Sequence, residues 1–177
     1  AGAGDRPEYW YNLGVLRSAK GDRAGAEEAY RKTLELNAND LDALNNLGLI
    51  LLEKGEAEEA KTLFDKLSGL NPKSIDAKLN LAAACARTND LERAVSLWKD
   101  VIRAEPGRQS VRLSLADALW KTNDLEGARY HYNQLVLINP ASADAHNGLG
   151  LWHLEKSENA KAEARFRTAI QHRPQFA

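Results

Sequence analysis

The chain has no methionine, one cysteine, five prolines in 177 residues and no long apolar run. Each shortage excludes something. A lone Cys85 can form neither an internal disulfide nor a cysteine-based zinc site. No apolar stretch approaches the ~18 residues that span a bilayer as a helix, so no membrane insertion is expected. A formal net charge of −1 lacks the basic excess that goes with nucleic-acid binding, and no nucleic-acid partner is expected. No basic-then-apolar signal pattern opens the sequence. "AGAG" at 1–4 reads as a cloning remnant, with residues 1–6 a lead-in and the rest a piece of a longer protein. The compartment therefore stays unassigned, the cytoplasm being slightly favoured, since a native targeting segment can have been removed with the rest.

What is present is repetition. "RTNDLERA" at 87–94 returns as "KTNDLEGA" at 121–128, 34 residues later, with relatives at 20–26, 54–60 and 156–162. Cut at this period, the chain yields five repeats without insertion or deletion: 7–40, 41–74, 75–108, 109–142 and 143–176. A fixed period in this range signals stacked units, each touching only its neighbours. Place seven of the repeat is always leucine (Leu13, Leu47, Leu81, Leu115, Leu149). Place eight is small (Gly14, Gly48, Ala82, Ala116, Gly150), and place twenty is always alanine (Ala26, Ala60, Ala94, Ala128, Ala162). Place twenty-four is aromatic (Tyr30, Phe64, Trp98, Tyr132, Phe166), and place thirty-two is Ala38, Pro72, Pro106, Pro140 and Pro174.

The columns have direct physical meanings. Apolar residues spaced by three and four in both halves of each repeat predict two amphipathic helices. Small residues at places eight and twenty let helices approach closely, and the aromatic fills the space beside them. Place fifteen holds Gly21, Gly55, Asn89, Asn123 and Ser157. Glycine and asparagine most readily take the left-handed conformation that ends a helix, so Ser157 is the poorest of the five. An acid follows each time, suited to the positive end of the next helix. Proline then stops the second helix.

This constellation, with Trp10 opening a "W-x-x-L-G" run, resembles the tetratricopeptide repeat over residues 7–176. The resemblance implies an all-α fold, an α-solenoid of tandem helix–turn–helix units forming a right-handed superhelix, as one array. It also implies a polar capping helix at the end. Ala177 would instead open a sixth repeat, so the fifth is expected to expose apolar surface, with end-to-end association a consequence.

By the same resemblance, places two, five, six, nine, twelve and thirteen line a concave groove. Place six carries Asn12, Asn46 and Asn80, then Ser114 and Gly148. A row of amides can clamp the backbone of an extended peptide, although asparagine is also common at this place in the family. Places five, nine and twelve are apolar in eleven of fifteen cases: Tyr11, Val15, Leu49, Leu52, Leu79, Ala83, Ala86, Leu113, Trp120, Leu151 and Leu154. Such a strip marks an interaction surface, unless some members pack on adjacent helices. Asp117 is among the four polar exceptions. The inward places hold seven acids against Arg87 and Lys121. Four of those acids sit at helix starts, where the helix dipole alone favours them. The set of lysines, arginine and asparagines by which some family members grip a chaperone's terminal carboxylate is absent. The partner-binding residues expected are therefore Tyr11, Asn12, Asn46, Leu49, Leu79, Asn80, Leu113, Asp117, Trp120 and Leu151.

Chemistry is thinly represented. His146 and His153 lie seven residues apart, roughly 10 Å along one helix and too far to chelate together. His131 and His172 have no acid constellation, and Cys85 reads as a small packing residue. "GLG" at 148–150 lies inside a helix with no strand before it. No nucleophile–base pair is discernible. The expectation is a non-catalytic scaffold with no cofactor or metal, binding an apolar or amphipathic segment of a protein partner. The alternatives are a self-assembling homo-oligomer and, more weakly, a targeting domain cut from a larger enzyme such as a glycosyltransferase.

Overall fold

A computed structural model describes residues 6–173, and the described residues form ten α-helices and no strand. The helices are α1 (Pro7–Ala19), α2 (Arg23–Leu36), α3 (Leu41–Lys54), α4 (Ala57–Leu70), α5 (Ile75–Arg87), α6 (Leu91–Ala104), α7 (Gln109–Lys121), α8 (Leu125–Ile138), α9 (Ala143–Glu155) and α10 (Asn159–His172). They fall into two compact units, one ending at Asp90 with α1–α5 and one beginning at Leu91 with α6–α10. Within each unit every helix packs on the next in the chain. None is long and apolar enough to cross a membrane. "AGAG", Pro174 and Ala177 lie outside the described residues, as does any cap or surface they would form.

The hinge column behaves as its residue types dictate. Gly21, Gly55, Asn89, Asn123 and Ser157 have φ of 81°, 86°, 60°, 64° and 59°. These are the only positive values among the described residues, and each separates the two helices of one repeat. A side chain held there costs roughly 1 kcal/mol or more relative to glycine, so Ser157 carries that cost in the fifth repeat. The acids after the hinge divide by length. Asp22 and Asp124 accept hydrogen bonds from the backbone N–H of Gly25 and Gly127, both at 2.9 Å. Glu56 and Glu158, one methylene longer, make no such cap; they pair instead with Lys54 at 3.0 Å and with His153 Nδ1 at 2.6 Å. Three first helices, α3, α5 and α9, are capped from a column the sequence reading passed over, whereas α1 and α7, which follow Arg6 and Arg108, have no side-chain cap. Asp40, Ser74 and Ser142, at place thirty-four, accept from Ala43, Ala77 and Ala145 N–H.

The core is the set of invariant columns. All five alanines at place twenty are buried, and Tyr30, Phe64, Trp98 and Tyr132 are nearly fully so. Close approach explains the glycines at place eight. A Cβ on Gly14 would stand 2.6 Å from the Tyr30 ring, on Gly48 2.6 Å from Phe64, and on Gly150 2.4 Å from Phe166. Burial of the columns weakens at the outer repeats, where Leu13 and Phe166 are only half-buried.

Two of the turns between repeats in the second unit are tied by polar side chains at place four. Arg112 Nη2 donates to the Pro106 carbonyl at 2.7 Å, and His146 Nε2 lies 2.9 Å from that of Pro140. Each is met by place twenty-three of its own repeat, with identities exchanged: His131 Nδ1 is 3.4 Å from Arg112, and Arg165 is 3.3 Å from His146 Nδ1. Burial first, then the positive charges of Arg112 and Lys99, push His131 down to about 4 from its ordinary 6.5, with Asp124 pulling weakly the other way. Between these values the unfolded chain takes up a proton that the folded chain refuses. Stability therefore falls as pH drops from about 6.5 towards 4 and is unaffected by this group above that window. Partial exposure to solvent holds the effect to about 2 kcal/mol. Urea titrations at pH 7.5 and 4.5 are expected to show a smaller pH penalty for His131→Gln than for the parent. Equal penalties would refute this account of His131.

Candidate functional site

Two cavities open on the faces of the first helices, one in each compact unit. The first, of about 430 Å³, is lined by Tyr11, Val15, Ser18, Ala19, Arg23, Tyr30, Asn46, Leu49, Ile50 and Glu53. The second, also about 430 Å³, is lined by Leu113, Asp117, Trp120, Lys121, Tyr132, Asp144, Asn147, Gly148 and Leu151. They are the same place in the repeat, 102 residues apart. Tyr11, Val15, Ser18, Ala19, Tyr30, Asn46 and Leu49 correspond one for one to Leu113, Asp117, Trp120, Lys121, Tyr132, Gly148 and Leu151. The repeat thus builds one kind of hollow from places five, nine, twelve, thirteen and twenty-four and from places six and nine of the next repeat.

Their chemistry differs. In the first, Asn46 Nδ2 lies 3.5 Å from the hydroxyls of both Tyr11 and Tyr30. Arg23 and Glu53 pair at 3.1 Å on its rim, so its charges are balanced. Burial raises Tyr30 above the usual phenol range, and the negative charge of an ionised Tyr11 would add to this, with Asn46 opposing. In the second, Tyr132 donates its hydroxyl to Asp117 Oδ1 at 2.7 Å. Burial raises the Asp117 carboxyl above its ordinary range; the hydrogen bond from Tyr132 opposes this, Asp144 adds to it and Lys121 opposes. Tyr132 is likewise raised, by burial and then by its bond to Asp117. Asp144 is itself held by Arg173 at 2.9 Å.

Residues 2–140 match one tetratricopeptide repeat model and residues 113–175 a second. The chain belongs to the tetratricopeptide repeat family. Among curated proteins none matches it. Solved tetratricopeptide structures share its fold. It is similar to YrrB, a TPR protein with an unusual peptide-binding site, at a TM-score of 0.88 and 20% identity over 98% of this chain and 90% of that one. It is similar to MamA at 0.86 and 22% identity, over 97% and 94% of the two chains. MamA 41-end from Desulfovibrio magneticus RS-1 gives 0.86 and 21%, over 99% and 100%. At these identities the likeness is one of fold, an all-α solenoid of helix–turn–helix repeats, which is the fold of a protein-interaction scaffold.

Of the ten tetratricopeptide residues predicted to meet a partner, seven line the two cavities: Tyr11, Asn46, Leu49, Leu113, Asp117, Trp120 and Leu151. Leu49 and Leu151 are 38% and 37% exposed, as residues open to a partner must be. Asn12, on α1, is exposed, and half-buried Leu79 and Asn80, on α5, line neither cavity. The asparagine row is more engaged than its residue type implied. Asn80 donates to Asn45 Oδ1 at 2.7 Å, Asn45 to Asn46 Oδ1 at 3.4 Å, and Asn46 to Tyr11. Place six of one repeat is thus tied to place five of the repeat before it, and these amides brace neighbouring first helices. Leu52, counted with the apolar strip, is only 7% exposed and belongs to the core. Arg23, Tyr30 and Tyr132 were missed as lining residues, while Glu53 and Lys121, at inward places, were not carried into the partner-binding set. For the two tyrosines the signal was available, because an aromatic ring at place twenty-four carrying a hydroxyl must find that hydroxyl a partner.

Proposed function

We propose that this chain is a non-catalytic scaffold that holds an apolar or amphipathic segment of a partner protein against its first helices, with apolar side chains entering the two cavities. What carries the reading is the recurrence of one hollow at equivalent repeat places in both units. Each is bordered by exposed or half-buried apolar residues: Tyr11, Val15 and Leu49 in one, Leu113, Trp120 and Leu151 in the other. Hollows of this size, with apolar walls interrupted by fixed polar groups, suit side chains of a docked segment. Affinity comes from apolar burial. The amide of Asn46 contributes shape, since its nitrogen is engaged by Tyr11 and Tyr30, while that of Asn80 is partly engaged by Asn45.

A displayed random-peptide library, panned on the parent and on a Leu49→Asp, Trp120→Asp variant shown by circular dichroism to be helical, tests this. Peptides captured by the parent alone support the reading. Capture by neither protein, or equally by both, counts against it.

A second reading has its own observation. On α8, Tyr130 and Leu137 lie seven residues apart on one outward stripe, 58% and 74% exposed, with Ile138 beside them at 45%. Association of copies through this stripe would make the sedimentation coefficient depend on concentration, and Leu137→Lys would abolish that dependence.

A further inference from the structure

Three departures from the repeat pattern converge on the second cavity. Place nine is Val15, Leu49, Ala83 and Leu151 elsewhere, but Asp117 here. Place twelve is Ser18, Leu52, Ala86 and Leu154 elsewhere, but Trp120 here. Place six is asparagine or serine elsewhere, but Gly148 here, and the missing side chain is replaced by the Tyr132 ring, which a Cβ on Gly148 would meet at 2.5 Å. One repeat boundary therefore acquires an acid, a large indole and a tyrosyl hydroxyl aimed at that acid, all within one hollow of about 430 Å³.

We propose that this cavity takes the guanidinium or ammonium group of a basic side chain, presented by an otherwise apolar segment of the partner, with Asp117 as its counter-ion. The proposal rests on the scaffold reading above and names what one of its two hollows selects. Charge complementarity carries it. Two carboxylates, Asp117 and Asp144, line the hollow against one ammonium, Lys121. Asp144 already has Arg173 at 2.9 Å, whereas Asp117 has a neutral hydroxyl at 2.7 Å. Asp117 is exposed at the hollow, within reach of an arriving cation, which would add to Lys121 in offsetting the negative charge of Asp144 beside it. Leu113 and Leu151 offer apolar surface to the methylene stem of a lysine or arginine, and Trp120 offers an aromatic wall to its head. Arginine is preferred over lysine, because its planar fork serves the carboxylate and the ring together. The first cavity is an internal contrast: Val15 stands where Asp117 does, and its charged residues, Arg23 and Glu53, pair with each other. It is expected to accept neutral apolar side chains.

The test extends the library selection to Asp117→Asn. This substitution keeps an acceptor for the Tyr132 hydroxyl and removes only the charge. Peptides captured by the parent should carry arginine or lysine at one fixed place between apolar residues, and selection on Asp117→Asn should lose that preference while still recovering apolar peptides. In fluorescence anisotropy, citrulline in place of the selected arginine should weaken binding about tenfold on the parent and less than twofold on Asp117→Asn. Captured peptides without a basic residue, or a basic preference that survives Asp117→Asn, would overturn the proposal and leave the scaffold reading standing. No capture by any variant would sink both.

Discussion

Phe64→Ala is expected to lower the unfolding free energy by about 4 kcal/mol, among the largest single losses available to this chain. Its ring is fully buried in the first compact unit and stands where a Cβ on Gly48 would come within 2.6 Å. Truncation removes a ring's worth of apolar burial and leaves a hole that rigid neighbouring helices fill poorly. The reciprocal change, Gly48→Ala, is expected to cost about 3 kcal/mol, because the added methyl and the ring cannot occupy the same space. The two are coupled. In a Gly48→Ala, Phe64→Leu protein the smaller side chain admits the methyl, so the combined loss should fall short of the sum by more than about 1 kcal/mol. Urea unfolding followed at 222 nm gives these values, with the slope compared between variants because repeat proteins need not unfold in one step. Strict additivity, or a neutral Gly48→Ala, would show that the close approach is not what selects glycine there.

Most of the fold was legible because its constraints are local and recur five times. A left-handed residue at place fifteen needs only its own backbone, so glycine and asparagine announced it, and Ser157 adopts it at a cost once its neighbours demand it. The alanine column was equally readable, since one residue type in five copies admits only a steric explanation. What escaped were features that depend on side-chain length or on a neighbour's identity. An acid after the hinge looks the same as Asp or Glu in a charge pattern, yet only Asp22 and Asp124 are seen to reach back to a backbone N–H, while Glu56 and Glu158 are too long. The exchanged Arg112–His131 and His146–Arg165 pairs are invisible to any column read alone, because each column simply changes residue type there.

The candidate site divides in the same way. Apolar residues at places five and nine could be assigned to an open face by the family resemblance, and Leu49 and Leu151 are open. Leu52 is a strip member that packs inward, because place twelve varies between repeats, facing the hollow as Ser18 and Trp120 and the core as Leu52. The asparagines are a different case: an amide bonds to whatever lies within reach, and for Asn46 and Asn80 that is the neighbouring helix. Asp117 looked like one acid among seven; its distinction lies in the Tyr132 hydroxyl bonded to it, which composition does not reveal.

Gly148→Asn restores to the fifth repeat the residue that three others carry at place six, and it is nevertheless expected to destabilise the protein by about 3 kcal/mol and to abolish cation selection in the second cavity. The reason is where the neighbouring ring lies. Tyr30 rests against Gly14 at place eight of its own repeat, which leaves room for Asn46 at place six of the next. In the fourth repeat place eight is Ala116, and Tyr132 lies instead against Gly148, from where its hydroxyl reaches Asp117. Asparagine at 148 drives the ring out, strands its hydroxyl and fills the hollow. Ala116→Gly should therefore rescue Gly148→Asn, because it opens for Tyr132 the seat that Tyr30 already uses. The double variant is expected to recover at least half of the lost stability in urea titrations, while Ala116→Gly alone gives nothing back and costs about 1 kcal/mol as a glycine inside a helix. A double variant no more stable than Gly148→Asn would mean that Tyr132 is held by its bond to Asp117 and not by the shape of the place it occupies.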